Sequence, residues 1–211
     1  MALTFGQMRD QILAETYRDA TFQTAVENAI VSAIKELEIQ QLFINQTFQQ
    51  LTLNQGSNTV NLPADFMSVL MMVLLDSGGT TVYTEASGFK QVPFWDLQTF
   101  QYQNIGVPSN PGLWSIYDGQ IWVYPIAQQS YLLDLYYYNK DATYPSNYND
   151  TSIWLGDYTQ DVTRYTARGI FYRDSLQSPE LAASEFAKAA DVLAKLKLRN
   201  SQRATINTLS V

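Results

Sequence analysis

The stretch LWSIYDGQIWVYPIAQQSYLLDLYYY, Leu113 to Tyr138, decides the reading of the fold. Leu113 to Tyr117 and Gln120 to Tyr124 are short runs rich in aromatic and β-branched residues, with Asp118-Gly119 between them. Both central positions of a type I′ turn need positive φ, which Asp-Gly tolerates, so the pair predicts a tight antiparallel hairpin. Pro125 has no amide hydrogen for a ladder and ends the second strand. Tyr131 to Tyr138 reads as a third strand, with Leu133, Leu135 and Tyr137 on one face and Asp134, Tyr136 and Tyr138 on the other. The three runs together predict a meander.

Upstream, Thr47 to Leu53 and Thr59 to Leu62 read as strands around the turn Asn54-Gln55-Gly56-Ser57, and Pro63 ends the second. Phe66 to Leu75 is a further strand, which Ser77-Gly78-Gly79 turns back into Thr81 to Glu85. Pro93 stands where a missing amide costs little, just before a helix over Phe94 to Gln103. Gly106 to Gly112, with Pro108 and Pro111, reads as a rigid loop, and Asn139 to Asp150 as a polar one.

Both ends of the chain carry the helical rhythm. Thr4 caps a helix to about Arg18, with Phe5, Met8, Ile12 and Leu13 on one side. Asp19 or Thr21 caps a second, to about Gln41, in which Phe22, Val26, Ala29, Ile30, Ala33, Ile34 and Leu37 recur at spacings of three and four. Tyr158, Val162, Tyr165, Gly169, Tyr172 and Leu176 mark a third. Ser178-Pro179-Glu180 starts a fourth, which carries Ala182, Phe186, Ala189, Leu193 and Leu196 on one side. The expected fold is α+β. Helices of 1–45 and 151–198 pack as one small bundle, 46–150 form a mainly antiparallel β insertion, and 199–211 form a flexible C-terminal tail.

Composition narrows the chemistry. The 211 residues are 46% hydrophobic and 16% charged, which places the chain among globular rather than disordered proteins. There is no cysteine, so no disulfide framework or thiolate metal site. There is no histidine, which removes the commonest general base, triad partner and zinc ligand. No enzymatic activity, cofactor or metal is expected. A formal net charge of -7 argues against sequence-independent binding of nucleic acid. The first residues have no continuous apolar core of a secretory signal, and the longest apolar run, Met67 to Leu75, is far short of the roughly 20 residues that span a bilayer.

Three constellations invite a functional reading. Asp157 and Asp161 share one face at a helix start, where the dipole explains two carboxylates better than acid–base chemistry does. Tyr136, Tyr137, Tyr138, Tyr144, Tyr148, Trp154 and Tyr158 cluster in sequence, and on a strand Tyr136 and Tyr138 must point away from the core that holds Tyr137. Such an outward pair suits a protein interface or a sugar platform. Finally, residues 1–150 hold 14 acids and 5 bases, whereas residues 151–211 hold 6 acids and 8 bases. Lys188, Lys195, Lys197, Arg199 and Arg203 make a basic end suited to docking an acidic partner.

Taken in order, three stretches resemble the phage head–tail connector (adaptor) family. NLPADFMSVLMMVL, Asn61 to Leu74, is similar to the family's strand entry. VPSNPGLWSIYDGQIWVYPIAQQSYLLDLYYY, Val107 to Tyr138, follows its proline loop, glycine-turn strands and strand ending in paired tyrosines. Ser152 to Leu196 resembles its closing helix pair, with a tryptophan-leucine entry, an aromatic-alanine helix, a short break and an amphipathic helix. The resemblance implies a non-enzymatic virion protein of a bacteriophage, made in the host cytoplasm and placed at the head–tail junction. It implies a homo-oligomeric ring, often a dodecamer, beneath the portal protein, serving tail assembly and the passage of DNA through its lumen in packaging and ejection. A next tail component (nozzle, stopper or tail terminator) would dock below. On that reading Lys195, Lys197, Arg199 and Arg203 are candidates for portal binding, and Tyr136 and Tyr138 for the tail interface. The alternative from another class is a carbohydrate-binding β module of a receptor-binding or decoration protein, which requires the aromatic cluster to be exposed and concave.

Overall fold

The computed structural model describes residues 2–103, 108–141 and 143–208. In chain order the elements are α1 (Phe5–Glu15), α2 (Gln23–Glu38), β1 (Gln46–Leu53), β2 (Thr59–Asn61), β3 (Phe66–Asp76), β4 (Thr81–Tyr83), β5 (Lys90–Gln91), α3 (Phe94–Gln103), β6 (Leu113–Tyr117), β7 (Gln120–Tyr124), β8 (Tyr131–Asn139), α4 (Gln160–Asp174) and α5 (Pro179–Thr208). The fold is α+β, with two sheets that are antiparallel except where β5 joins β6. The chain divides into two compact units, Gln46–Lys140 and the combination of Met1–Asn45 with Asp141–Val211.

In the β unit, Asp118 (φ 48°) and Gly119 (φ 70°) form the turn of the β6–β7 hairpin, as the sequence predicts. The meander does not continue. β8 leaves for the other sheet, so the strand orders are β1-β8-β3-β4 and β2-β7-β6-β5. Alternation settles which face of a strand is buried but not which strand lies beside it. The six residues from Pro125 to Ser130 carry the chain across, and their backbone bonds to other loops: Ala127 donates to Ser57 and accepts from Gly56, and Ile126 accepts from Ser109. The same division separates β1 from β2, which a hairpin reading would have paired. Leu53, Met72, Leu74, Leu133, Leu135 and Tyr137 from one sheet and Trp114, Ile121 and Val123 from the other share a single core. α3 covers the outer face of the second sheet, where Phe94 stacks on Tyr117 with centroids 4.0 Å apart and Leu97 is fully buried.

The helical unit is built from both ends of the chain. Met8 and Ile12 of α1, Ile30 and Ile34 of α2, Val162 and Phe171 of α4 and Ala189 and Leu196 of α5 lie in one core around the buried Trp154. α1 begins with a reciprocal cap: Thr4 Oγ1 accepts from the Gln7 amide, and the Gln7 side chain accepts from the Thr4 amide. Asp19 caps a short 3-10 turn over Ala20–Phe22 that leads into α2.

Two segments differ from expectation. Residues from Asp141 onward, expected in the β insertion, belong to the helical unit. The reason is polar bonding: Phe5 and Gly6, whose first-turn amides have no helical acceptor, donate to the carbonyls of Asp150 and Tyr148 (2.8 and 2.9 Å). Residues 199–208, expected as flexible tail, continue α5 to Thr208. No proline or glycine interrupts the chain after Pro179, so loss of apolar rhythm does not end the helix. Residues 209–211 and 104–107, the latter including the start of the predicted proline loop, lie outside the described residues.

Gly169 lets α4 and α5 approach: a Cβ there would stand 2.6 Å from the Phe186 ring. Gly169→Ala is expected to destabilise the protein by about 1–3 kcal/mol through overpacking, read as a lowered melting temperature. An unchanged melting curve would show that Phe186 yields freely.

Candidate functional site

The outer face of the first sheet carries the predicted tyrosine pair. Register places Met71, Tyr136 and Phe48 abreast on three neighbouring strands. They are 43%, 37% and 49% exposed, and the Phe48 and Tyr136 rings lie 4.9 Å apart. Beside them Gln46 donates to the Tyr138 hydroxyl at 3.3 Å, and Gln50 donates to Asp134 at 2.9 Å. Tyr137, between the pair in sequence, is buried and donates to Asp65 at 2.9 Å. Burial and then that carboxylate push its phenol well above the usual range. Tyr136 and Tyr138 therefore face outward, and Phe48 and Met71 complete a partly apolar surface.

The basic candidates lie on α5 but do not form one patch. Lys195 and Arg199, four residues apart, share a helix face, while Lys197 projects from another. All three are exposed. Lys195 pairs with Asp191 at 2.6 Å. The side chain of Arg203 lies outside what the structure describes. Lys188 pairs with Glu185 at the end of an ionic chain through Arg168, Glu15, Arg164 and Asp161 that ties α5, α4 and α1 together.

The aromatic cluster is dispersed. Tyr136 and Tyr138 belong to the β unit, and Tyr144, Tyr148, Trp154 and Tyr158 to the helical unit. Trp154 is fully buried. Tyr148 donates to Asp10 at 3.1 Å and lies under the Arg9 guanidinium. Tyr144 donates to Glu38 at 2.8 Å, and burial followed by that carboxylate pushes its phenol up to about 12. Glu38, only 4% exposed, also accepts from the Asp141 amide at 2.8 Å. This buried carboxylate holds the start of the polar loop that runs to Asp150.

Asp161, weighed above for acid–base work, is instead paired with Arg164 at 3.0 Å. Among the described residues no group of three or more His, Cys, Asp or Glu could hold a metal ion, and no helix is long and apolar enough to cross a membrane. The sequence reading placed α3 but did not single out its Trp95 and Tyr102, which are 73% and 75% exposed. Their spacing of seven puts them on one helix face, a signal that was present in the sequence.

The model of the SU10 adaptor protein family matches residues 3–210. The chain belongs to the SU10 adaptor protein family. It is thus a phage adaptor, as the resemblance implies. No curated protein matches the sequence.

Two predictions concern Glu38 and Asp141. Glu38→Ala leaves the Tyr144 hydroxyl and the Asp141 amide without their acceptor and is expected to cost about 2–4 kcal/mol in a denaturant titration. Asp141, half-buried, has its carboxyl pushed up, first by burial and further by Glu38. A folded-state value above the unfolded one gives stability that is present below the unfolded value and lost as pH rises through the folded one. Asp141→Asn, which keeps an acceptor for Ser152, should therefore raise the melting temperature at neutral pH and change it little near pH ~3, below the unfolded carboxylate range. An equal shift at both pH values would contradict this.

Proposed function

We propose that this adaptor is the subunit of a homo-oligomeric ring at the head–tail junction of a virion, joined to the portal protein and open to DNA through its lumen. Membership of the adaptor family over residues 3–210 is the observation that carries the reading. The formal net charge of -7 suits a channel wall that repels a duplex and keeps it centred. Twelve subunits is the number the family resemblance suggests. The C-terminal part of α5, with Lys195, Lys197, Arg199 and Arg203, is the portal-docking element; its last described buried contact is Leu196. The face around Tyr136 and Tyr138 receives the next tail component. A glycan platform would need one concave aromatic cluster, and dispersal over two units gives that reading no support.

The test is mass photometry of the purified chain with its cognate portal, followed by electron microscopy of any complex. A ring stacked coaxially on the portal is expected; a monomer that ignores the portal would defeat the reading. Deleting 199–211 should abolish portal binding while circular dichroism stays that of a folded protein. Tyr136→Ser combined with Tyr138→Ser should leave the portal complex intact and stop addition of the next tail component.

A further inference from the structure

The two sheets have four outer strands, and three are very short: β2 and β4 have three residues each and β5 has two. β1 is the exception. It has eight residues, is paired only with β8, and no strand lies on its other side among the described residues. Exposed edges are usually guarded by a charge, a proline or a bulge. β1, QTFQQLTL, has no charge and no proline, and its register with β8 runs without a shift from Gln46 to Leu53. β3, by contrast, shifts register twice against β8. Gln46, Phe48, Gln49, Gln50 and Thr52 are all exposed. An unguarded, regular edge presents the backbone groups of every second residue to whatever strand arrives.

The side-chain pattern of β1 indicates what arrives. Its outward face carries Gln46, Phe48, Gln50 and Thr52, of which the first three form a phenylalanine with a glutamine on either side. That pattern reads the same in both directions. If the segment meets a copy of itself antiparallel with Phe48 opposite Phe48, Gln46 stands opposite Gln50 in both halves and Thr47 opposite Gln49. Directly opposed residues share a face, so every side chain keeps the side it already has. Two aromatic side chains then meet, and the row Met71, Tyr136, Phe48 continues into its own mirror order in the second copy. No like charges are opposed across the two-fold axis, because Gln46 to Gln50 carry none; the nearby Asp134 is already held by Gln50.

We propose that the free chain pairs with a second copy of itself through the β1 edge, forming one continuous sheet about a two-fold axis. The contact is isologous and therefore distinct from the head-to-tail contact a cyclic ring requires. It describes the chain before docking and does not rest on the ring reading. It also shields the long edge and the exposed Phe48 from nonspecific strand addition.

Sedimentation equilibrium of the free chain over a wide concentration range tests the pairing. The wild type should shift from one chain to two as concentration rises, and amides of Gln46 to Gln50 should exchange more slowly in the two-chain species. Combining Gln46→Lys with Gln50→Lys opposes like charges twice across the axis and should weaken association roughly tenfold or more. Combining Gln46→Glu with Gln50→Glu should do the same. An equal mixture of the two variants should restore a two-chain species containing one of each. Circular dichroism checks that both fold, as substitution of exposed side chains predicts. A wild type that stays monomeric at every concentration overturns the proposal, as does a two-chain species that both charged variants retain. A larger assembly indifferent to these substitutions also overturns it while leaving the ring reading intact. Failure to bind the portal, with charge-sensitive pairing preserved, defeats only the ring reading.

Discussion

The pairing of β1 with β8 is the constraint on which the architecture depends. Gln46, the first residue of the β unit in a strand, is the register partner of Tyr138, near its last. The strand that opens the unit and the one that closes it thus have their outer ends side by side. An inserted unit needs this, because the host core is assembled from segments on both sides of it in sequence. α1 and α2 supply one part of the helical core and α4 and α5 the rest, although the β unit separates them along the chain. β8 also accepts β3 on its other edge, so the same strand organises the first sheet and brings the unit's ends together.

Polar groups complete what apolar packing begins. The first-turn amides of α1 are satisfied by Thr4 and by carbonyls of the loop near Asp150. Glu38 spends its buried carboxylate on the Asp141 amide and the Tyr144 hydroxyl. In Asp150 itself, backbone amides of Ser146 and Asn147 hold the carboxyl below its usual range and stiffen the turn. A loop of Asn, Ser, Tyr and Asp, which composition marks as irregular, is in this way held by hydrogen bonds of its own and by bonds to α1 and α2.

The chemistry of the chain is that of surfaces. Its ionic chain from Asp161 to Lys188 binds helix to helix, and its exposed aromatics are spread over several elements. Phe48, Tyr136 and Met71 lie on a sheet, and Trp95 and Tyr102 on a helix that covers the other sheet. Large aromatic side chains at exposed positions suit protein contacts, because they bury much area at little cost in conformational entropy. This fits membership of an adaptor family better than any arrangement of titratable groups.

By itself the sequence determined the local structure. Asp118-Gly119 specified its hairpin turn because positive φ admits few residues, Pro93 marked the start of α3, and the spacing from Phe22 to Leu37 marked α2. Alternation also sent Tyr136 and Tyr138 outward and Tyr137 inward, since successive strand residues have no other choice. Tertiary structure alone decided which strands became neighbours. The pattern of β8 is the same whether it follows β7 in one sheet or lies between β1 and β3 in another; the choice is made by the shared core and by loop bonds distant in sequence. It likewise decided that Asp141 to Asp150 join the helices, because the donors and acceptors that hold them, Glu38 and the α1 amides, lie more than a hundred residues earlier in the chain. Short-range sterics are written in neighbouring residues, whereas the partners of a long-range hydrogen bond become known only when the chain has closed on itself.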